Sequence, residues 1–216
     1  MSKKGLICGR GRSLVHYKQL FNNDFDFIYL VNEFNRFIVE DVQLLQFLKQ
    51  KSISGYLTQQ VNICASGVDS NLLNNINVQE IITTRLKPNS DNVWWRGRVN
   101  MNAFMHFNKS LSLQPEIISP YMQHVENSLG VAILNLILDK NCSEVYVIGS
   151  DFYEEDYYLS HREYDWEETS KKEVQDKLKK GFDVLIDEFK DVSFKIFTCS
   201  SYQNDSDNCQ VIKLEV

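Results

Sequence analysis

Residues 144–153 read Glu144-Val145-Tyr146-Val147-Ile148-Gly149-Ser150-Asp151-Phe152-Tyr153. The first five are strand formers, and the run is too short for a core helix. The glycine that follows breaks it, so the segment reads as the clearest strand in the chain, ending in a loop. Immediately upstream, Gly130 to Leu138 is almost wholly apolar, which predicts a helix packed deep against a sheet. Downstream, residues 154–168 are polar and aromatic and suit a loop. Ser170 with Glu173 three residues on has the form of a capping box. It would start a helix whose apolar face is Val174, Leu178, Leu185, Ile186 and Phe189. Ser193 to Thr198 predicts another strand, and residues 210–214 a last one suited to a sheet edge.

The N-terminal part repeats this alternation. Gly5-Leu6-Ile7-Cys8-Gly9 is a short apolar run that breaks into Arg10-Gly11-Arg12-Ser13. A buried strand, then glycines, then a helix start is the opening of a nucleotide-binding βα unit. Phe25 to Val31 predicts a second strand, and residues 40–51 a helix carrying Val42, Leu45 and Leu48. Gly55 to Val61 and Glu80 to Thr84 predict two further strands. Residues 85–125 hold all three prolines and the run Trp94-Trp95-Arg96-Gly97-Arg98, with a helix expected around 100–112. Strands alternating with helices imply an α/β fold with a parallel sheet covered on both faces. No internal repeat or low-complexity tract interrupts it.

Composition narrows the class. The 216 residues suit one domain with a full core, or one domain with a small lid. A formal net charge of −6 argues against a general nucleic-acid binder, which needs clustered Lys and Arg. The five cysteines (Cys8, Cys64, Cys142, Cys199, Cys209) are odd in number and scattered, with no C-x-x-C pair. That fits reduced thiols better than a disulfide framework or a zinc site. No opening stretch reads as a signal peptide and no apolar run could span a bilayer, so a cytoplasmic location is expected.

In an open α/β sheet, ligands sit beyond the carboxyl ends of the strands. Gly9–Ser13, Asn32–Phe34 and Gly149–Tyr153 fall there. Gly9 and Gly11 would let backbone N–H groups approach an anion, with Arg10 and Arg12 adding charge. A tight structural turn is the alternative reading of the same glycines.

The blocks Gly5–Leu14, Asn23–Asp26 leading to Asn32-Glu33-Phe34, Gly130-Val131, and Glu144–Tyr153 together resemble the bacterial sialyltransferases of glycosyltransferase family forty-two, the lipooligosaccharide type. They occur in that family's order and at nearly its spacing, over roughly residues 5–34 and 128–200. The resemblance implies a Rossmann-like domain spanning 1–216 with a short lid at about 153–168. It implies inverting transfer of sialic acid, or a related nonulosonic acid, from a CMP-activated donor to a glycan acceptor, with no metal and no cofactor. Gly9, Gly11 and Ser13 would line the nucleotide, Asn32 would contact the donor, and Ser128 and Gly130 would sit near the cytidine. Gly149, Asp151 and Phe152 belong to the best-matched block of the donor site.

Tyr153 and a second lid tyrosine, Tyr158 being nearer in spacing than Tyr157, would donate to the departing phosphate. His161 would be the general base. Phenol O–H groups can meet the negative charge that grows on that phosphate, and imidazole is suited to taking the acceptor's proton. Where the family has asparagine this chain has Arg10, expected to contact the anion instead, and where it has proline this chain has Arg12. The lid is also shorter here, leaving Glu154 and Glu155 as other candidates for the base.

Other features have plainer readings. His16, His106 and His124 lack metal-ligand spacing and read as structural. Trp94-Trp95 reads as packing before an acceptor wall or a partner contact. Asp24-x-Asp26 precedes a strand, so it reads as a turn rather than a metal pair, and Asp205-x-Asp207 lies in a polar loop. Two rival functions stay open. A magnesium-dependent phosphotransferase or pyrophosphokinase on a related scaffold would need a metal. A non-catalytic CMP-sugar binding protein would bind without turnover. Self-association into a homo-oligomer is also left open.

Overall fold

The strand patterns assemble into one eight-stranded sheet in which every described pairing is parallel. The computed structural model describes residues 2–20, 23–31, 41–51, 53–58, 76–83, 110–113, 116–121, 127–154 and 168–215. The strands are β1 (Lys4–Cys8), β2 (Phe27–Val31), β3 (Gly55–Thr58), β4 (Glu80–Thr83), β5 (Ser110–Leu113), β6 (Glu144–Ile148), β7 (Ser193–Thr198) and β8 (Cys209–Lys213). Their order across the sheet is β5-β4-β3-β2-β1-β6-β7-β8. The chain winds outward from β1 to β5 on one side, then restarts beside β1 with β6 and winds outward to β8. This is a Rossmann-like α/β fold.

Side-chain alternation along the strands divides the core in two. Leu6, Cys8, Ile28, Leu30, Tyr146 and Ile148 face one layer. That layer is filled by Leu14, Tyr17 and Leu20 of a 3₁₀ helix (Arg12–Leu20) and by Leu44, Phe47 and Leu48 of α1 (Val42–Gln50). Asp41 caps α1, its Oδ1 accepting from the N–H groups of Gln43 and Leu44 at 3.0 and 2.9 Å. On the opposite face Ile7, Tyr29, Val31, Val145, Val147, Phe194 and Ile196 pack against α2 (Ser128–Leu134) and α3 (Glu168–Glu188). All seven residues of α2 are buried, which is why that stretch could be apolar all round. It runs on into a π-helical turn, Asn135–Asp139.

Two local expectations fail. Ser110–Leu113 forms β5 rather than the end of a helix. Its serines and leucines alternate with the two-residue period of a strand, and pairing with β4 realises it. The remainder of the expected 100–112 helix lies outside the described residues. Ser170 does not cap a helix either, because α3 already contains Glu168 and Thr169. Among the described residues no helix is long and apolar enough to cross a membrane.

Candidate functional site

The strand order creates one topological switch point, between β1 and β6, where successive connections leave in opposite directions. In open α/β sheets the crevice for a ligand lies outside the carboxyl ends of the strands at such a point. Here those ends are Cys8 and Ile148, paired in register. The loops that follow them are Gly9–Ser13 and Gly149–Tyr153.

The two loops are sewn together. Gly9 N–H donates to the Ile148 carbonyl and Gly11 N–H to the Gly149 carbonyl, both at 2.8 Å. Gly149 N–H donates to Ser13 Oγ at 2.9 Å. A Cβ on Gly9 would lie 2.2 Å from the Gly149 oxygen, and one on Gly11 would lie 2.6 Å from Asp151 Oδ2. Gly149 also adopts φ +75°, in the left-handed region that favours glycine. These glycines therefore bring backbone against backbone, and the N–H groups of Gly9 and Gly11 are spent inside the protein.

Asp151 is the hub of this join. It is 3% exposed, and Oδ2 accepts from the Ser13 N–H at 2.7 Å. Its Oδ1 accepts from Thr198 Oγ1 at 2.9 Å and from the Cys199 N–H at 2.8 Å. One carboxylate thus ties the ends of β1, β6 and β7 together. A buried carboxylate needs such donors, each a charge-assisted bond. Phe152, 3% exposed, turns into the core, where its ring meets Phe182 at 5.2 Å edge-on and Tyr202 at 4.7 Å between centroids.

Phe152 and Tyr153 adopt φ 51° and 59°, two successive non-glycine residues in the left-handed region. Such a pair marks a strained turn held by its surroundings. Gln175 Nε2 of α3 donates to the Tyr153 carbonyl at 2.9 Å, and the Glu154 N–H closes the turn on the Asp151 carbonyl at 2.9 Å. The Glu154 carboxylate accepts from Lys179 Nζ, from the Ser201 N–H and from Ser201 Oγ. Partial burial disfavours its charge, yet the bonds from Lys179 and Ser201 outweigh that and hold its pKa below the ordinary 4.5. Glu154 is thereby a poor proton acceptor at neutral pH.

Around this floor, Arg10 is 6% exposed and Ser13 fully buried. Ser128 is 2% exposed at the start of α2, and its Oγ has no hydrogen-bond partner among the described residues. The Gly130 N–H donates to the capping Asn127 side chain at 2.8 Å. Burial pushes the Cys8 thiol up to about 12, so this cysteine is no thiolate nucleophile at neutral pH. Among the described residues no group of three His, Cys, Asp or Glu is arranged to hold a metal ion. Asn32, Tyr157, Tyr158, His161 and Glu155 lie outside the described residues, as does most of the lid segment.

Thr198, Cys199, Gln175, Lys179 and Ser201 were not singled out from sequence. They are ordinary residues of a strand end, a loop and a helix, and only the β6–β7 pairing and the docking of α3 bring them to the loop.

The fold resembles that of a sialyltransferase. CstII of Campylobacter jejuni, in complex with the substrate analogue CMP-3FNeuAc, superimposes with a TM-score of 0.56 at 17% identity, covering 95% of this chain and 87% of that one. A CstII complex with a trisaccharide acceptor and CMP gives a TM-score of 0.53 at 16% identity, over 90% and 80% of the two chains. The complex of the C. jejuni enzyme with cytidine monophosphate gives 0.53 at 17%, over 90% and 79%. No family model matches the sequence, and no curated protein matches it. At such identities the likeness is one of fold.

Proposed function

We propose that this protein is a CMP-sugar-dependent glycosyltransferase that moves sialic acid, or a related nonulosonic acid, to an acceptor hydroxyl with inversion and without a metal. The observation that carries the reading is the likeness of fold to CstII over nearly the whole chain, with the Gly149–Tyr153 loop at the switch point. Ser128 Oγ, buried and without a hydrogen-bond partner among the described residues, supports it, because a buried hydroxyl left without a bond costs stability that a ligand atom would recover. In this reading Gly9, Gly11, Gly149, Asp151 and Phe152 shape the floor of the site. Ser13, whose N–H and Oγ are bonded to Asp151 and Gly149, belongs to that floor, and Arg10, Asn32, Ser128 and Gly130 to the walls around the CMP part of the donor.

The reaction breaks the bond between the sugar's anomeric carbon and a phosphate oxygen while the acceptor oxygen attacks from the opposite face. Charge grows on the departing CMP phosphate, and the phenols of Tyr153 and Tyr158 donate to it. His161 takes the acceptor's proton. Hydrogen bonds that strengthen as the phosphate leaves lower the barrier more than they tighten the ground state.

A thermal-shift screen of nucleotides tests the reading. Stabilisation grows as RT ln(1 + [L]/Kd), about 2.7 kcal/mol at a hundredfold excess over Kd. CMP and CDP are expected to raise Tm more than AMP, GMP or UMP. Equal or greater stabilisation by purine nucleotides overturns it.

A further inference from the structure

Resting on the reading of Tyr153 as the residue that meets the leaving phosphate, we infer that Glu154 is a positioning residue for Tyr153. Its carboxylate clamps the left-handed turn to Lys179 of α3 and to Ser201 beyond β7. Three observations converge on this turn. Tyr153 sits at φ 59° after Phe152 at φ 51°, a conformation an L-residue keeps only where neighbouring contacts impose it. The turn is anchored on its N-terminal side by Asp151, which is bonded to Ser13, Thr198 and Cys199. On its C-terminal side the anchor is the Glu154 carboxylate, with Ser201 Oγ donating at 2.7 Å and Lys179 Nζ reaching both Glu154 and Ser201 Oγ.

Between the anchors, the Tyr153 carbonyl is held by Gln175 of α3 at 2.9 Å. The backbone of Tyr153 is thus fixed on both sides and at its own carbonyl, which sets the direction in which its side chain leaves the chain. The loop after β7 is stiffened in turn. Lys213 Nζ on β8 donates to the Ser200 carbonyl at 2.6 Å and also to that of Tyr202. Glu154 is only partly enclosed, its side chain 20% exposed against 24% for Lys179. Neutralising it therefore need not unfold the domain, yet it removes the charge that faces Lys179 and leaves one acceptor oxygen where three donors shared two. A loose turn lets the phenol drift, and a misplacement of about 1 Å costs on the order of a hundredfold in rate.

The test measures kcat and CMP affinity for the unaltered protein, Glu154→Gln, Tyr153→Phe and the double variant, using CMP-sialic acid with an acceptor, alongside Tm. Glu154→Gln is expected to lower kcat by about tenfold to a hundredfold while CMP affinity changes by less than about twofold. The double variant is expected to be no slower than Tyr153→Phe by more than about twofold, because both changes remove one and the same contact. A purely structural ion pair would instead give effects that multiply.

A Glu154→Gln rate within twofold of the unaltered protein, or multiplying effects in the double variant, overturns the inference alone. Absence of turnover in the unaltered protein overturns the transferase reading, and the positioning role falls with it. If Glu154→Gln does not fold, Lys179→Met breaks the same clamp from the α3 side and is read by the same coupling to Tyr153→Phe.

Discussion

A Cβ built on Gly9 would stand 2.2 Å from the carbonyl oxygen of Gly149, so the two central loops touch backbone to backbone. Neither partner is a flexible side-chain end that could swing away. Gly9→Ala is therefore expected to destabilise the fold by about 1–3 kcal/mol, the usual cost of overpacking. Gly149→Ala is expected to cost more, since its φ of +75° adds strain for any L-residue. Urea unfolding midpoints of the two variants check both the size and the order of the effects.

Asp151 offers a second stability test. Asp151→Ala leaves the N–H groups of Ser13 and Cys199 without their acceptor, while the hydroxyl of Thr198 keeps the Ser150 carbonyl and Ser200 Oγ as partners. Each buried donor left unsatisfied costs about 1–3 kcal/mol. The variant should be among the most destabilised in the domain, and Asp151→Asn, which keeps one acceptor oxygen, should lie between it and the unaltered protein. Calorimetric Tm values give the ranking.

Arg10 stands in the first loop at 6% exposure. If its guanidinium meets the phosphate of the donor, losing that charge-assisted bond costs roughly 1.5–3 kcal/mol. Arg10→Ala is expected to weaken CMP binding about tenfold or more, measured by titration calorimetry. Binding unchanged within about twofold would remove Arg10 from the phosphate site.

Two substitutions separate binding from chemistry. Tyr153→Phe should lower turnover while CMP affinity holds, since the charge it meets grows in the transition state. His161→Ala should depress transfer by roughly 10²–10⁴-fold with donor binding intact. Steady-state kinetics beside CMP titration distinguishes them from variants that lose binding, and near-normal transfer by His161→Ala would exclude it as the base.

The Glu154 clamp predicts a pH dependence of stability. Its carboxyl titrates lower in the folded protein than the ordinary 4.5, because of the bonds from Lys179 and Ser201 that outweigh burial. A depressed folded pKa gives stability that is present above the unfolded value and is lost as pH falls through the folded one. The Tm difference between the unaltered protein and Glu154→Gln should be constant near neutrality and shrink as pH drops below about 4.5. A difference that stays constant down to pH of about 3 would show that the ion pair adds nothing.

Much of the architecture was legible in local pattern. The apolar runs read at Gly5–Gly9, Phe25–Val31 and Glu144–Ile148 hold the strands Lys4–Cys8, Phe27–Val31 and Glu144–Ile148, and the almost wholly apolar Gly130–Leu138 lies in the buried α2 and the π-helical turn that follows it. Burial periodicity is a property of neighbouring residues, so these elements announce themselves. The glycines of the two loops were visible too, as was the α/β alternation that requires parallel strands.

What the sequence could not supply is which strand ends meet. That β6 returns beside β1 and creates the switch point depends on how whole layers pack, and no window of residues records it. The role of Asp151 followed only once β7 lay against β6, because Thr198 and Cys199 are 47 and 48 residues away along the chain. The tertiary structure also revealed that Phe152 belongs to the core with Phe182 and Tyr202, and that Lys179 and Ser201 hold Glu154. Local sequence determined the elements because burial periodicity is short-ranged. The site took its form only in three dimensions, because a buried carboxylate is satisfied by whichever donors the packing brings to it.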